Sequence, residues 1–341
     1  MSYAEPVINP KENPFRKIGA GACGAVFAQE ARPLAIKLAK TDDQMALENE
    51  YHKHELIEQQ FRKWGFTEVR IPDCFLFIPR EDEGSLHFSQ RPDLVAAAKA
   101  VCHLPTSALV TQRIDPLCKR ARTLLIDKYC LPRIKEAAHG DASNRDCLVR
   151  VYLGSLEGKG ERLFFSLRNI KMHLNQMVDL QLYVNTMASR MGVAMALMHW
   201  AAETDARDVE FVLGSHPERA APTLRSTELW VLDFNQVQSI TMDEVGVAKA
   251  VEAVWVNDPY LPRPLGDSQF EKQAWNAFVS NYIMAADIIL REGKGHLLRL
   301  PRMFIRGLIE RHETQGRMKQ QAEENSKEKY SSVNISIRIA D

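Results

Sequence analysis

The first residues equipped for chemistry lie in Ile18-Gly19-Ala20-Gly21-Ala22-Cys23-Gly24-Ala25-Val26, where Gly19, Gly21 and Gly24 fall in one short stretch. Glycines so spaced let a backbone turn approach phosphate oxygens without Cβ obstruction, and the valine that follows can pack under a purine. A helix after such a turn would suit a dinucleotide site, but here another β-forming run follows and carries Ala35-Ile36-Lys37. Lys37, thirteen residues past Gly24, puts a cation on that run. Glu48, Glu50 and Glu55 on the next helical stretch are its candidate partners, with Glu50 preferred. Further along, Asp205-Ala206-Arg207-Asp208-Val209-Glu210 gathers three carboxylates, and the apolar run Leu229-Trp230-Val231-Leu232 ends on Asp233. Such groups can pair with a guanidinium, take a proton from an amine or ligate magnesium. Singly, each is what a surface lysine or a solvated acidic helix would give; their order along the chain carries the argument.

These residues need elements to position them. Residues 15–29 alternate β-formers with small residues, and 33–39 is a short apolar run, which predicts a hairpin and a third strand. Residues 44–64 bring Leu47, Tyr51, Leu56 and Phe61 round at helical intervals, and 70–78 and 107–114 read as further strands, with 80–104 a connection of undetermined structure. The turn signal Asp115-Pro116 marks a boundary at about residue 116. Beyond it, Met177, Leu180, Val184, Met187, Met191, Ala194 and Met198 recur at steps of three and four, predicting one long helix over 172–200 with a methionine-rich core stripe. A helix over 268–292 opens on the capping box Ser268-Gln269-Phe270-Glu271, another spans 301–313, and 316–341 reads as a flexible polar tail. If 208–212 is a strand, Asp208 and Glu210 share one side and Val209 and Phe211 the other.

Lys plus Arg equals Asp plus Glu at 44 each, so bulk charge gives no reason to expect a nucleic-acid or membrane partner. No basic segment precedes an apolar one at the N-terminus and no run reaches membrane-spanning length, from which a cytoplasmic protein is expected. The six cysteines form no CxxC pair, so no zinc site is expected and the thiols should be reduced. The sequon Asn334-Ile335-Ser336 has no secretory route to give it meaning.

The ordered motifs over residues 15–235 resemble those of protein kinases: GxGxxGxV, a strand lysine, a helix glutamate, Asp205 with Glu210 five positions on, and Asp233-Phe234-Asn235 in the place of Asp-Phe-Gly. Glu replaces the usual Asn at 210, no His-Arg precedes Asp205 and no Ala-Pro-Glu segment follows, so the ordinary peptide-substrate platform is not expected. The resemblance implies an α+β, two-lobed protein-kinase-like fold, with a small β-rich N-lobe (1–116) and a larger, mainly helical C-lobe (117–315). The segments Arg113-Ile114-Asp115-Pro116-Leu117, Arg150-Val151-Tyr152-Leu153-Gly154, Asp205 to Gly214, Leu232 to Asn235 and Asn257 to Pro262 also resemble a fungal family of unknown function, to which a zinc-finger label is sometimes attached. Among proteins of that type are arginine-containing cyclodipeptide synthases, which condense arginine with a second amino acid from aminoacyl-tRNAs.

That likeness implies catalysis by Asp205, Asp208 and Glu210, arginyl-tRNA and a second aminoacyl-tRNA as partners, no stable protein partner, and no required cofactor, because an aminoacyl ester is already activated. Lys119, Arg120, Arg122, Lys128, Arg133 and Lys135, and separately Arg299, Arg302 and Arg306, are candidates for tRNA phosphates, although charged stretches are more often solvated helix faces. The alternative is a kinase-like phosphotransferase acting on a small molecule, with ATP held by the glycine turn, Lys37 and Glu50, magnesium held by Glu210 and Asp233, and Asp205 orienting the acceptor. A binding module that keeps only the fold is a third possibility.

Overall fold

The computed structural model describes residues 13–30, 32–40, 45–160, 165–168, 170–215, 223–291 and 293–338. The chain is α+β, with a β-rich N-terminal part and a mainly helical C-terminal part. Strands β1 (Arg16–Ala20), β2 (Gly24–Ala28) and β3 (Leu34–Ala39) precede helix α1 (Met45–Lys63) and strand β4 (Cys74–Ile78). Two short helices, α2 (Asp82–Ser89) and α3 (Pro92–Ala98), fill the connection whose structure the sequence left undetermined, and β5 (Ala108–Gln112) completes an antiparallel sheet of order β1-β2-β3-β5-β4. Period-two alternation gives this sheet two different faces. Ala25, Phe27, Ile36, Leu38 and Ala108 form a core with Phe88 of α2 and Leu94 and Ala98 of α3. On the other face Ala39 and Leu109 are covered by Leu47 of α1.

Helices α4 (Lys119–Tyr129) and α5 (Lys135–Gly140) lead to a second sheet of order β7-β6-β8-β9, built from β6 (Val149–Tyr152), β7 (Ile170–His173), β8 (Glu210–Gly214) and β9 (Glu228–Leu232). The β6/β7 pair is parallel and the other pairs antiparallel. The helix expected over 172–200 is interrupted. Residues 170–173 belong to β7, α6 (Leu174–Asp179) is short, and α7 (Val184–Ala196) runs into a π turn at Leu197–Ala201. The break is a Schellman closure: Leu182 N–H donates to the Met177 carbonyl and Gln181 N–H to that of Val178, with Gln181 left-handed at φ 53°. The methionine stripe is core, since Met177, Met187, Met191 and Met198 are buried.

Helix α8 (Glu244–Val256) and the long helices α9 (Gln269–Arg291) and α10 (Arg299–Arg338) complete the C-terminal part. The capping box is formed, with Glu271 N–H donating to the Ser268 hydroxyl and Ser268 N–H to the Glu271 carboxylate. Gly192 lets α7 lie against α9, because a Cβ there would stand 2.4 Å from the Phe278 carbonyl oxygen. The backbone is helical through the stretch read as a tail as far as Arg338; 339–341 lie outside the described residues. Among the described residues no helix is long and apolar enough to cross a membrane.

Candidate functional site

A cavity of about 540 Å³ lies between the two sheets, lined on one side by the Gly19–Gly24 turn and β3, and on the other by β6, β8 and the end of β9. The strand registers explain which side chains meet there. Val26 pairs with Lys37 and Lys37 with Leu109, so these three form one row across the first sheet. In the second sheet Arg150 pairs with Val212 and Glu210 with Leu232. All seven of these residues line the cavity. Gly24 has a specific task, since a Cβ there would lie 3.1 Å from both Cγ and Cε of Lys37. Its absence lets the lysine side chain cross the strand. At the turn's tip, Gly21 N–H donates to the Gly24 carbonyl at 2.9 Å, and Lys40 Nζ donates to the Gly21 carbonyl at 2.8 Å.

Lys37 Nζ donates to Glu50 Oε2 at 2.7 Å and to Asp233 Oδ1 at 2.8 Å. Of the three glutamates considered from the sequence, Glu50 is therefore the partner. Burial works to lower the Lys37 pKa, but Glu50 and Asp233 outweigh it, so the ammonium stays charged. Burial likewise raises the Glu50 carboxyl against the opposing pull of Lys37. Asp233 is held in left-handed backbone at φ 67°, directly after β9.

Glu210 and Asp208 also face the cavity. Burial pushes Glu210 up to about 7, with Arg150 pulling the other way from 2.5 Å. Asp208 is raised too, by burial and then by Asp233 and Asp258. Its side-chain partner is neutral: Gln236 Nε2 donates to Asp208 Oδ2 at 2.5 Å. Strand geometry starts at Glu210, and Asp208 reaches the same side by a different route from the strand expected over 208–212. Its backbone is left-handed at φ 60°, and its N–H donates to Asn257 Oδ1 at 2.7 Å. Val209 and Phe211 are buried in the core as expected.

Asp205, expected to act with Asp208 and Glu210, lies apart from them. It is 3% exposed and does not line the cavity. Its Oδ1 instead accepts from the backbone N–H of Arg207 at 3.0 Å and of Gln238 at 2.9 Å, fastening the loop that carries Asp208 to the segment after Asp233. Glu203, Ala206 and Asp208 all have positive φ in this loop, a strained backbone that such bonds hold in place. In this placement Asp205 braces the backbone of the loop.

Three residues outside the expected set belong to the site. Arg150 holds Glu210; Asp258 accepts from the Tyr152 hydroxyl and lies 3.5 Å from Lys171; Asp146 pairs with both Arg16 and Arg113. Arg113, Arg150 and Asp258 fall inside the segments that carried the family likeness, which was the one signal pointing to them.

Magnesium seeks free carboxylate or other oxygen ligands. The expected pair, Glu210 and Asp233, is already engaged by Arg150 and Lys37, and among the described residues no group of three or more His, Cys, Asp or Glu is arranged to hold a metal. Both carboxylates are thus held by cations in the arrangement described. Of the basic residues considered for tRNA, Lys128 pairs with Asp179, Arg299 with Glu244 and Arg302 with Asp287, while Arg122 donates to the Leu117 carbonyl.

The chain matches no curated protein. Residues 229–294 match a family model described as zinc finger protein. The matched stretch has neither a cysteine nor a histidine, two of the residue types that hold structural zinc, and of its residues Leu232, Asp233, Asn235, Gln236 and Asp258 line the cavity.

Proposed function

We propose that this chain is an arginine-containing cyclodipeptide synthase built on a two-lobed, protein-kinase-like scaffold, using aminoacyl-tRNAs and acting in the cytoplasm. The observation that carries the reading is the charge of the cavity. Glu50, Asp146, Asp208, Glu210, Asp233 and Asp258 line it, against Lys37, Arg113 and Arg150. Six carboxylates against three cations suit a ligand that brings guanidinium and ammonium groups better than one that brings a triphosphate. Each of the three cations is already paired with a carboxylate, whereas Asp208 has a neutral partner and remains open to a substrate guanidinium.

The reaction requires two aminolyses. The α-amino group of one aminoacyl-tRNA attacks the ester carbonyl of the other; a C–N bond forms, the ester C–O bond breaks, and the tRNA ribose hydroxyl leaves with a proton. The free amine of the resulting dipeptidyl ester repeats the attack within its own molecule and closes the ring. An α-amino group titrates at about 7.7–8.0, so it must give up a proton near neutrality. Glu210, raised to about 7, is suited to accept that proton and return it to the leaving hydroxyl. Asp208 holds the guanidinium, and Asp205 keeps Asp208 in place.

A second reading has its own support: Lys37 held by a helix glutamate beneath a glycine turn is the arrangement of a phosphotransferase. One experiment separates the two. The chain is expressed in a host with its own charged tRNAs, and the medium is searched by mass spectrometry for arginine-containing diketopiperazines; the purified protein is then given charged tRNA without ATP. Cyclodipeptide from both supports the synthase. ATP consumption with no cyclodipeptide replaces it with the phosphotransferase.

A further inference from the structure

A carboxylate by itself does not tell arginine from lysine, because both side chains bring one positive charge. Beside Asp208 the chain places more than charge. Gln236 Nε2 donates to Asp208 Oδ2 at 2.5 Å, and both residues line the cavity. An amide that donates through its nitrogen still has a carbonyl oxygen, and Gln236 Oε1 accepts no bond among the described residues. Its neighbour Asn235 lines the same cavity at 9% exposure, and the Asn235 Oδ1 is a buried acceptor without a donor. Such an acceptor is unfavourable until a ligand supplies an N–H. The backbone around these groups is fixed. Asp205 N–H donates to the Gln238 carbonyl at 2.9 Å and Ile240 N–H to that of Glu203 at 2.9 Å, lacing the loop before Asp208 to the segment after Asp233. From α1, Asn49 Nδ2 donates to the carbonyls of Asn235 at 2.9 Å and Val237 at 3.1 Å. Gln236 lies between those two clamped carbonyls, and its exposed side chain reaches Asp208 from there.

We propose that Gln236 and Asn235 select arginine over lysine in this cavity, by setting neutral carbonyl acceptors beside the Asp208 carboxylate. The assignment rests on the synthase reading and names what recognises its arginine. A guanidinium is a planar fork with five N–H donors on three nitrogens, so it can meet a carboxylate with one edge and amide oxygens with another. A lysine ammonium has its donors on a single nitrogen, and approaching one group draws that nitrogen away from the others. Amide oxygens also add acceptors without adding charge. A further carboxylate would attract either cation, whereas the two amides favour the one with donors to spare.

The test supplies the full chain with arginyl-tRNA or lysyl-tRNA, each with the same second aminoacyl-tRNA, and compares kcat/KM from the cyclodipeptides released. The parent should prefer arginine by about a hundredfold or more, as expected where a site's polar groups are left unpaired by the wrong substrate. Gln236→Met keeps the length of the side chain without its amide, and at an exposed position it should leave the fold intact. It should lower the arginine value about tenfold and leave the lysine value within about twofold, so that the preference shrinks by nearly the same factor. Asn235→Ala should act in the same direction; if that buried variant fails to fold, Gln236→Met decides. Gln236→Glu, which keeps the acceptors and adds charge, should raise the lysine value relative to that for arginine. Equal losses on both substrates in Gln236→Met would make Gln236 a brace for Asp208 alone, and overturn the assignment while the synthase stands. An unchanged ratio with unchanged rates overturns it in the same way. A parent that makes no cyclodipeptide from either tRNA removes the synthase reading, and this assignment with it.

Discussion

Asp208 and Glu210 differ in how the chain already uses them, and the difference predicts their behaviour. Glu210 has Arg150 at 2.5 Å, while Asp208 has the neutral Gln236. Asp208→Asn keeps the shape and removes the charge that a substrate guanidinium would meet, so cyclodipeptide output should fall by about a hundredfold or more, consistent with the ~3–5 kcal/mol lost when one partner of a buried ion pair is removed. Glu210→Gln should fall as far, by loss of the base. With pre-charged tRNA the parent rate should rise with pH to a plateau above about 7 and decline about tenfold per unit below it, because only ionised Glu210 accepts a proton. A flat profile between pH 5.5 and 8 would remove Glu210 from that role. The order of motifs made Lys37, Glu50 and Asp233 legible in the sequence. Arg150 and Asp258 were quoted only as marks of likeness, because their task depends on strand register and on a loop after α8, which no local spacing encodes.

His54 illustrates a different cost. It is buried on α1, with its Nε2 2.6 Å from the Pro72 carbonyl and its ring centroid 5.0 Å from that of Phe234, and burial lowers it to about 4. Below an ordinary pKa of 6.5 the unfolded chain takes up a proton that the folded one refuses. Stability therefore falls as pH drops from 6.5 towards 4, by up to about 3 kcal/mol for this group. Urea midpoints measured from pH 7 to 4.5 should decline, and His54→Gln, which can still donate to Pro72, should flatten the decline.

Among elements, the crossing of α7 and α9 has the least slack. A Cβ at Gly192 would lie 2.4 Å from the Phe278 carbonyl oxygen and 3.0 Å from the Tyr282 nitrogen, both backbone atoms that cannot swing aside. Gly192→Ala should lower unfolding stability by about 1–3 kcal/mol or more, read from denaturant curves, although alanine is the better helix former. The strands of the first sheet, the capping box of α9 and the buried face of α7 follow from sequence pattern, because propensity, periodicity and tertiary burial agree there. The break between α6 and α7 was not legible. Met177, Leu180 and Val184 keep helical spacing across it, and the left-handed closing residue is Gln181, where a glycine would have announced the stop. Likewise α2 and α3 are too short for their periodicity to show above the acidic residues around them.

Across the whole molecule, two carboxylates tie the sheets together at the cavity. Asp146 receives Arg16 of β1 and Arg113 just after β5; Asp233 receives Lys37 of β3. The Asp146 and Arg113 side chains are 5% and 8% exposed, so Asp146→Ala leaves a buried guanidinium without its carboxylate. Thermal or urea unfolding should show a loss of about 3–5 kcal/mol, and Asp146→Asn, which keeps an acceptor, should lose less.

The position of α1 bears on how the chain can be divided. Its first half, through Leu47, covers the first sheet, while Ile57 and Phe61 of its second half, with Val69 beyond, belong to the core formed by α7, α9 and the second sheet. The boundary near residue 116 is thus a change of topology and not a line of cleavage. A fragment ending there would expose three side chains whose partners it lacks, and the remainder would keep a core with its plug withdrawn. The intact chain should melt as one cooperative unit, with a single calorimetric peak whose van't Hoff and calorimetric enthalpies agree. Two resolved peaks would mean that α1 can detach from one side before the other.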